Sequence, residues 1–357
     1  MAPLAAGAGI KGKICEAISY GVPVLTTDIG NEGINLVDNV DGFVSDIESM
    51  ADRIIGILTS DVDMKSIVEA SKLKLDKIVG PDYARRQMFK DVHPMVTICI
   101  VTWNRLDLLK KCISSVLKHT SYPFYRVVVH SNGCSDGTQE YLQDISQRYH
   151  QIIPRLSPTN DVFVRPNNEM MMEFEDSDIL LLNNDTEVTD RWLTSLREAA
   201  YTSDNIGIAG SKLLYPDGRL QEFGSELYID GTGRNIGKGE DPMLPQYNVV
   251  KRVGYVSGCA MYIKRSTIDK IGIFDDQFHP CYCEDSDYAY SAWEQGLETV
   301  VTPESVVIHY EGGTSGTDEE SGFKAYQKVN LDKFLSKHRE KLEGLTTHIN
   351  KINERHS

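Results

Sequence analysis

The sequence predicts an α/β protein with a mixed, mainly parallel sheet flanked by helices, preceded by a smaller, partial α/β unit. Two observations predict it. Strand-like and helix-like stretches alternate through residues 94–320, the order that gives parallel strands with crossover helices. Within that alternation Asp178–Val188 reads DILLLNNDTEV. Ile179 to Leu182 run apolar without a break, as a strand covered on both faces does, and stop at Asn183-Asn184-Asp185.

Residues 1–93 form the first compositional unit. Ile10–Tyr20 reads as a helix ended by Gly21, Pro23–Thr27 and Gly42–Ser45 as short strands, and Glu48–Leu58 and Asp63–Lys77 as helices, with Gly80-Pro81 as the break. Two short strands do not make a self-sufficient sheet, so this unit is expected to be a piece of a larger domain or a packing element. The second unit begins with the strand Val96–Val101, and Asn104 is placed to cap the helix that follows. Leu106, Leu109, Ile113, Val116 and Leu117 share one face of that helix. The strand Arg126–His130 leads into the turn-rich Ser131–Thr138 and a helix over Gln139–Tyr149. After the DILLL strand comes a helix over Arg191–Ala200, then a Gly/Pro-rich region to Arg252. Val253–Lys264 holds two strand halves around Ser257-Gly258, Asp285–Glu294 is helical, and Glu298–Val301 is the last strand. In the tail, 321–357, Tyr326, Leu331, Phe334, Leu335, His338 and Leu342 lie near one helical face. From residue 324 on it carries eight Lys/Arg against four Asp/Glu. Two readings stand: a helix docked on the domain, or peripheral contact with an anionic membrane surface or lipid-linked acceptor.

Composition narrows the function. A hydrophobic content of 41% and a charged content of 25% are ordinary for a globular chain, and 357 residues suggest two domains. A net charge of −15 argues against a nucleic-acid partner. No apolar run is long enough to span a bilayer and no signal peptide opens the chain. Seven cysteines without a framework fit free thiols in a reducing cytoplasm.

The chemistry-bearing residues follow the strands: Thr102–Asn104, Ser131–Thr138, Asn183–Thr186, Glu284–Asp287 and His309–Ser315. Ligands of open α/β sheets sit at the carboxyl ends of strands, so Asp185 is placed to hold a hard divalent cation, and the cation a diphosphate. Taken singly, the same stretch is an Asx-rich turn, and Glu284–Asp287 is an acidic helix N-terminus that favours the dipole.

Taken together, VTWNRLDLLKKCISSVL, SNGCSDGT, LLLNNDTEVTDRWL, KLLYPDGRLQEFG, VSGCAMYIKR, FDDQFHPCYCEDSDYAY and VIHYEGGTSG resemble the family 2 glycosyltransferases, and most closely their rhamnosyltransferase-like branch, over residues 95–316. The resemblance implies a GT-A fold, a nucleotide-diphosphate sugar donor, Mn2+ or Mg2+, and inverting transfer to a glycan or lipid-linked acceptor, as in surface polysaccharide synthesis. It makes Asp285 the catalytic base, supported by Glu284 and Asp287, and Asp185 and His309 the metal ligands. Thr102, Asn104, Asn132, Asp136, Asn160 and Asn184 would bind the donor. This chain departs at Ser131, where the family has Asp, at Trp103, and at Val162, where the family has Gly. Without the family's Asp there is no carboxylate at 131 to accept from a pyrimidine N–H. A non-catalytic nucleotide- or glycan-binding scaffold is the competing reading. The stretch PLAAGAGIKGKICEAISYGVPVLTTDIGNEGI resembles the donor half of a family 4, GT-B glycosyltransferase. Of that family's paired glutamates only Glu16 is present; Ala8 stands at the other position.

Overall fold

The computed structural model describes residues 2, 10–79, 94–228, 230–312 and 322–338. The chain divides into two compact units, Met1–His93 and Pro94–Ser357. In the first, the helix Gly12–Ser19 ends at Gly21, whose φ of +75° suits a residue without a side chain. Leu25–Thr26 pairs in parallel with Phe43–Val44, and helices Met50–Thr59 and Met64–Val79 complete the unit. Ile14, Ile18, Val24, Ile34, Leu36 and Leu75 form one small core and Leu25, Phe43, Met50 and Ile67 another.

The second unit is built on a ten-stranded mixed sheet. Its main path runs Lys251–Val253, Glu298–His309, Ile206–Leu214, Ala260–Ile263, Ser177–Leu182, Met95–Thr102, Tyr125–Asn132, Ile152–Ser157. The strands from Ser177–Leu182 to Ile152–Ser157 are mutually parallel, whereas Ala260–Ile263 runs antiparallel to both of its neighbours. Every residue of Ser177–Leu182 is buried. The unbroken apolar run thus sits at the sheet's centre, where each Leu or Ile contributes about 1.5–3 kcal/mol by leaving water.

Helices cover both faces. Leu109, Cys112, Ile113 and Val116 of Leu106–His119 pack with Leu142, Trp192 and Leu196 on one face. Met170, Met171, Ile268, Tyr288 and Phe334 pack on the other. Phe334 belongs to the C-terminal helix Tyr326–His338, so this helix docks on the domain. Leu342 lies outside the described residues.

Several elements escape the sequence reading, among them three that carry proline or glycine. Ile152–Ser157 carries Pro154, tolerable because the strand is at the sheet edge. Val164–Glu173 has Pro166 in its first turn, where a missing N–H costs nothing. Ile206–Leu214 is interrupted by glycines, and Gly210 is required: a Cβ there would lie 2.4 Å from a Val256 methyl. The last strand is also longer than expected, reaching His309 through an irregularity between Thr302 and Val306.

Candidate active site

A cavity of about 560 Å³ opens in the second unit where the parallel strands end. That volume is typical of sites for small molecules and cofactors.

One part of it holds Asp185 and His309. Thr186–Val188 pairs antiparallel with the end of the last strand, setting Thr186 opposite His309. The Asp185 carbonyl accepts from the Tyr310 N–H at 2.9 Å. This pairing brings His309 Nε2 within 3.3 Å of Asp185 Oδ1. His309 Nδ1 meets Gln221 Oε1 at 3.1 Å, which makes Nδ1 the donor. Nε2 therefore directs a lone pair at a carboxylate unless a proton or cation lies between. Burial opposes charge on His309, but Cys259 and Asp185 beside it outweigh burial and hold its pKa well above the ordinary value. A carboxylate and an imidazole fit Mn2+ or Mg2+ as a two-residue anchor, with the remaining positions left to substrate oxygens and water. Among the described residues no group of three or more His, Cys, Asp or Glu could hold a metal unaided.

A second part is acidic. Asp285 and Glu284 open the helix Glu284–Glu294, and Glu222 ends the short strand Leu220–Glu222. Asp285 Oδ2 accepts from the Gly258 N–H at 3.3 Å and Glu222 Oε1 from the Ser257 N–H at 3.0 Å. Consecutive amides of one turn thus hold two carboxyls. Burial raises the pKa of Glu222 to about 7, and burial also raises Asp285 against the pull of its amide donors. Glu284 is raised well above its usual range by burial and by Asp285, and its Oε2 has no hydrogen-bond partner.

The third part is neutral: Val101, Trp103, Asn132, Asn160 and Val162. Phe323, Lys324, Gln327 and Leu331 of the C-terminal segment form a wall, and Phe323 meets Trp103 edge to face at 6.2 Å.

Asp185, His309, Asp285, Glu284, Asn132, Asn160 and Asn184 all line the cavity. Four sequence-derived candidates do not. Asn104 does not cap its helix; it has φ +54° and accepts from the Ser135 N–H at 2.9 Å. The cap is Asp136, which accepts from the Leu106 N–H at 2.9 Å and from the Thr138 hydroxyl at 2.6 Å, so it ties two helix starts together. Thr102 accepts from Asn184 Nδ2 at 3.0 Å and so orients Asn184. Asp287 points away from Asp285, as residues two apart on a helix must. It is buried and binds His338 Nε2 at 2.6 Å and Lys337 Nζ at 2.9 Å, anchoring the C-terminal helix. The residues missed were Gln221 and Glu222. Their signal was the motif KLLYPDGRLQEFG, in which they form a polar pair between Leu220 and Phe223. Residues 313–315 of the histidine motif lie outside the described residues.

Residues 97–271 match the model of Glycosyl transferase family 2. This chain carries a family 2 glycosyltransferase domain. Its relatives agree. The O-antigen biosynthesis protein RfbC of Myxococcus xanthus is 27% identical over 239 residues, covering 63% of this chain and 18% of the relative. An uncharacterized protein of Sinorhizobium fredii, y4gI, is 26% identical over 247 residues, or 67% of this chain and 27% of its own length. The chain thus spans about a quarter or less of these two proteins. The N-acetylglucosaminyl-diphospho-decaprenol L-rhamnosyltransferase of Mycobacterium tuberculosis is 25% identical over 262 residues, 67% of this chain and 82% of the enzyme. The crystal structure of GalNAc-T7 with UDP, GalNAc and Mn2+ superposes with a TM-score of 0.55 at 14% identity, covering 69% of this chain and 48% of that one. The glycosyltransferase domain has the GT-A fold.

Proposed function

We propose that this domain transfers a sugar, with inversion, from a nucleoside-diphosphate donor to a hydroxyl of a glycan or lipid-linked acceptor. The observation that carries the reading is one cavity holding both the Asp185–His309 pair and the Asp285 carboxyl. A sugar hydroxyl is too weak an acid to attack unaided at neutral pH. Asp285, held toward the cavity by the Gly258 N–H, takes its proton as the new bond forms, an effect of roughly 10²–10⁴ in rate. Burial raises the pKa of both Glu284 and Asp285, and one Glu284 oxygen has no hydrogen-bond partner. Asp185 and His309 hold a divalent cation, Mn2+ or Mg2+, which when bound neutralises charge on the leaving diphosphate.

The relatives' names favour surface polysaccharide as the product and a polyprenyl-linked sugar as one acceptor class. Among the described residues no helix is long and apolar enough to cross a membrane. Work at the cytoplasmic face with a peripheral approach to lipid-linked acceptor fits that reading. The test is a panel of UDP-, dTDP- and GDP-sugars with and without Mn2+, scored for donor hydrolysis and for transfer. Metal-dependent turnover with one donor supports the reading. Nucleotide binding without hydrolysis or transfer would return the scaffold reading.

A further inference from the structure

The C-terminal helix reaches the active site through one buried amide. Tyr326–His338 buries Phe334, His338 and, with them, Asn330, which is 0% exposed. Asparagine is a poor residue for a helix interior, because its side chain competes for backbone hydrogen bonds. Here the side chain serves the backbone of another segment. Asn330 Nδ2 donates to the carbonyls of Phe278 at 2.9 Å, Cys281 at 2.8 Å and Tyr282 at 3.0 Å. The orientation of this amide follows from chemistry. Carbonyls only accept, so the atom facing all three is the nitrogen, and Oδ1 accepts from Lys333 Nζ at 2.8 Å.

The segment it grips is strained. Tyr282 and Cys283 have φ of +76° and +68°, two successive left-handed residues, neither of them glycine. Such a conformation persists only where the surroundings over-determine it. Those surroundings are Asn330 on the Cys281 and Tyr282 carbonyls, and the Phe163 and Val164 N–H groups on the Pro280 carbonyl, both at 3.2 Å. The turn decides where Asp285 stands. Cys283 is the residue from which the helix Glu284–Glu294 starts, and its carbonyl accepts from the Asp287 N–H at 2.9 Å. The path through Tyr282 and Cys283 therefore sets the start of that helix, whose second residue is Asp285. That placement has little slack. Asp285 Oδ2 meets the Gly258 N–H at 3.3 Å, beyond the usual range for such a bond, so a small outward shift of the helix start would lose it.

We propose that Asn330 is a positioning residue for the transfer reaction. By holding the Cys281 and Tyr282 carbonyls it fixes the strained turn, and the turn keeps the Asp285 carboxyl on the Gly258 N–H at the cavity. The C-terminal helix thereby acts on the reaction through a residue that touches no substrate. A displacement of a reacting group by about 1 Å costs on the order of 10²-fold in rate, so a clamp of this kind is read in kcat. The proposal rests on the reading of Asp285 as the base and adds to it the group that keeps the base in place.

The test compares the full chain with Asn330→Leu, which fills the space without a donor. Asn330→Ser, a smaller side chain, covers the case in which the leucine variant does not fold. With the donor that supports transfer by the unmodified protein, either folded variant should lose kcat by about ten- to a hundredfold. The donor KM should stay within about twofold, since other strands set the Asp185–His309 pair. Leu196→Ala, in the core on the other face of the sheet, should lower the melting temperature and leave kcat unchanged. Hydrogen exchange read by mass spectrometry without substrate should rise about tenfold or more over residues 278–286 of the Asn330 variants, and not in the central strands. A folded Asn330→Leu or Asn330→Ser with the kcat of the unmodified protein would overturn the proposal. So would a loss of kcat accompanied by equally raised exchange throughout the domain, the mark of a purely structural role. Retention of the rate by Asp285→Asn, or no transfer from any donor by the unmodified protein, would instead remove the reading of the base, and this proposal with it.

Discussion

The two units of the chain use the same elements on very different scales. In the first, the paired strands are two residues long each, and the cores around them gather only a few side chains. In the second, strands of six to eight residues lie side by side in a ten-stranded sheet. The difference teaches what a site of this kind needs. Placing several polar groups in one cavity and removing water from them takes strand ends on a common edge, each backed by a core that holds it still. Asp185 and Glu222 are buried in such a setting, and Asp285 is half-buried. Glu16, the glutamate of the first unit singled out by resemblance, is exposed on its helix.

The comparison breaks most directly at Asp285. Asp285→Asn removes the proton acceptor with little change of shape, so transfer should fall by about 10²–10⁴ while donor affinity holds. Single-turnover kinetics alongside donor titration checks this, and a rate above about a tenth of the original would move the base elsewhere.

Next in size is Asp287, two residues along the same helix and devoted to structure. Asp287→Ala leaves buried His338 without its close carboxylate, while Lys337 keeps Asp275 at 2.8 Å, a loss on the order of 3 kcal/mol in denaturant unfolding. Since Phe323 to Leu331 wall the cavity, some weakening of substrate binding should accompany it. A variant as stable as the original would show that the anchor is not what holds the helix.

A smaller effect, read through pH, concerns Glu222. Its folded-state pKa of about 7 lies above its ordinary 4.5 because of burial. The folded state therefore holds a proton that the unfolded chain releases, and stability falls as pH rises from about 4.5 to about 7. Glu222→Gln should flatten that decline by up to about 1.4 kcal/mol per pH unit in metal-free unfolding experiments. Unchanged slopes would mean the carboxyl is not desolvated.

The smallest effect sharpens the contrast between units. Glu16→Ala should leave transfer within about twofold of the original, as an exposed residue outside the cavity's lining does. Loss of transfer in a folded Glu16→Ala protein would place chemistry in the first unit.

What the sequence alone determined was local. Apolar periodicity marked the strands Met95–Thr102 and Ser177–Leu182 and the helices that follow them, because an element's buried face is written in its own residues. Asp285 and His309 were singled out by the motifs that carry the family resemblance, Asp185 also by its place after an apolar strand, and all three line one cavity. Elements carrying proline or glycine went unread, since Pro154 and Gly210 are acceptable only at a sheet edge and beneath Val256. Tertiary structure decided the rest. Antiparallel pairing of Thr186 with His309 set two distant side chains 3.3 Å apart. Docking of the C-terminal helix turned Asp287 into an anchor, and Asp136 became a cap for a helix outside its own loop. Glu222 gained its raised pKa, and Asn132 its unpartnered oxygen, from neighbours far along the chain. Desolvation and hydrogen-bond partnership belong to the surroundings of a residue, and only the folded chain supplies them.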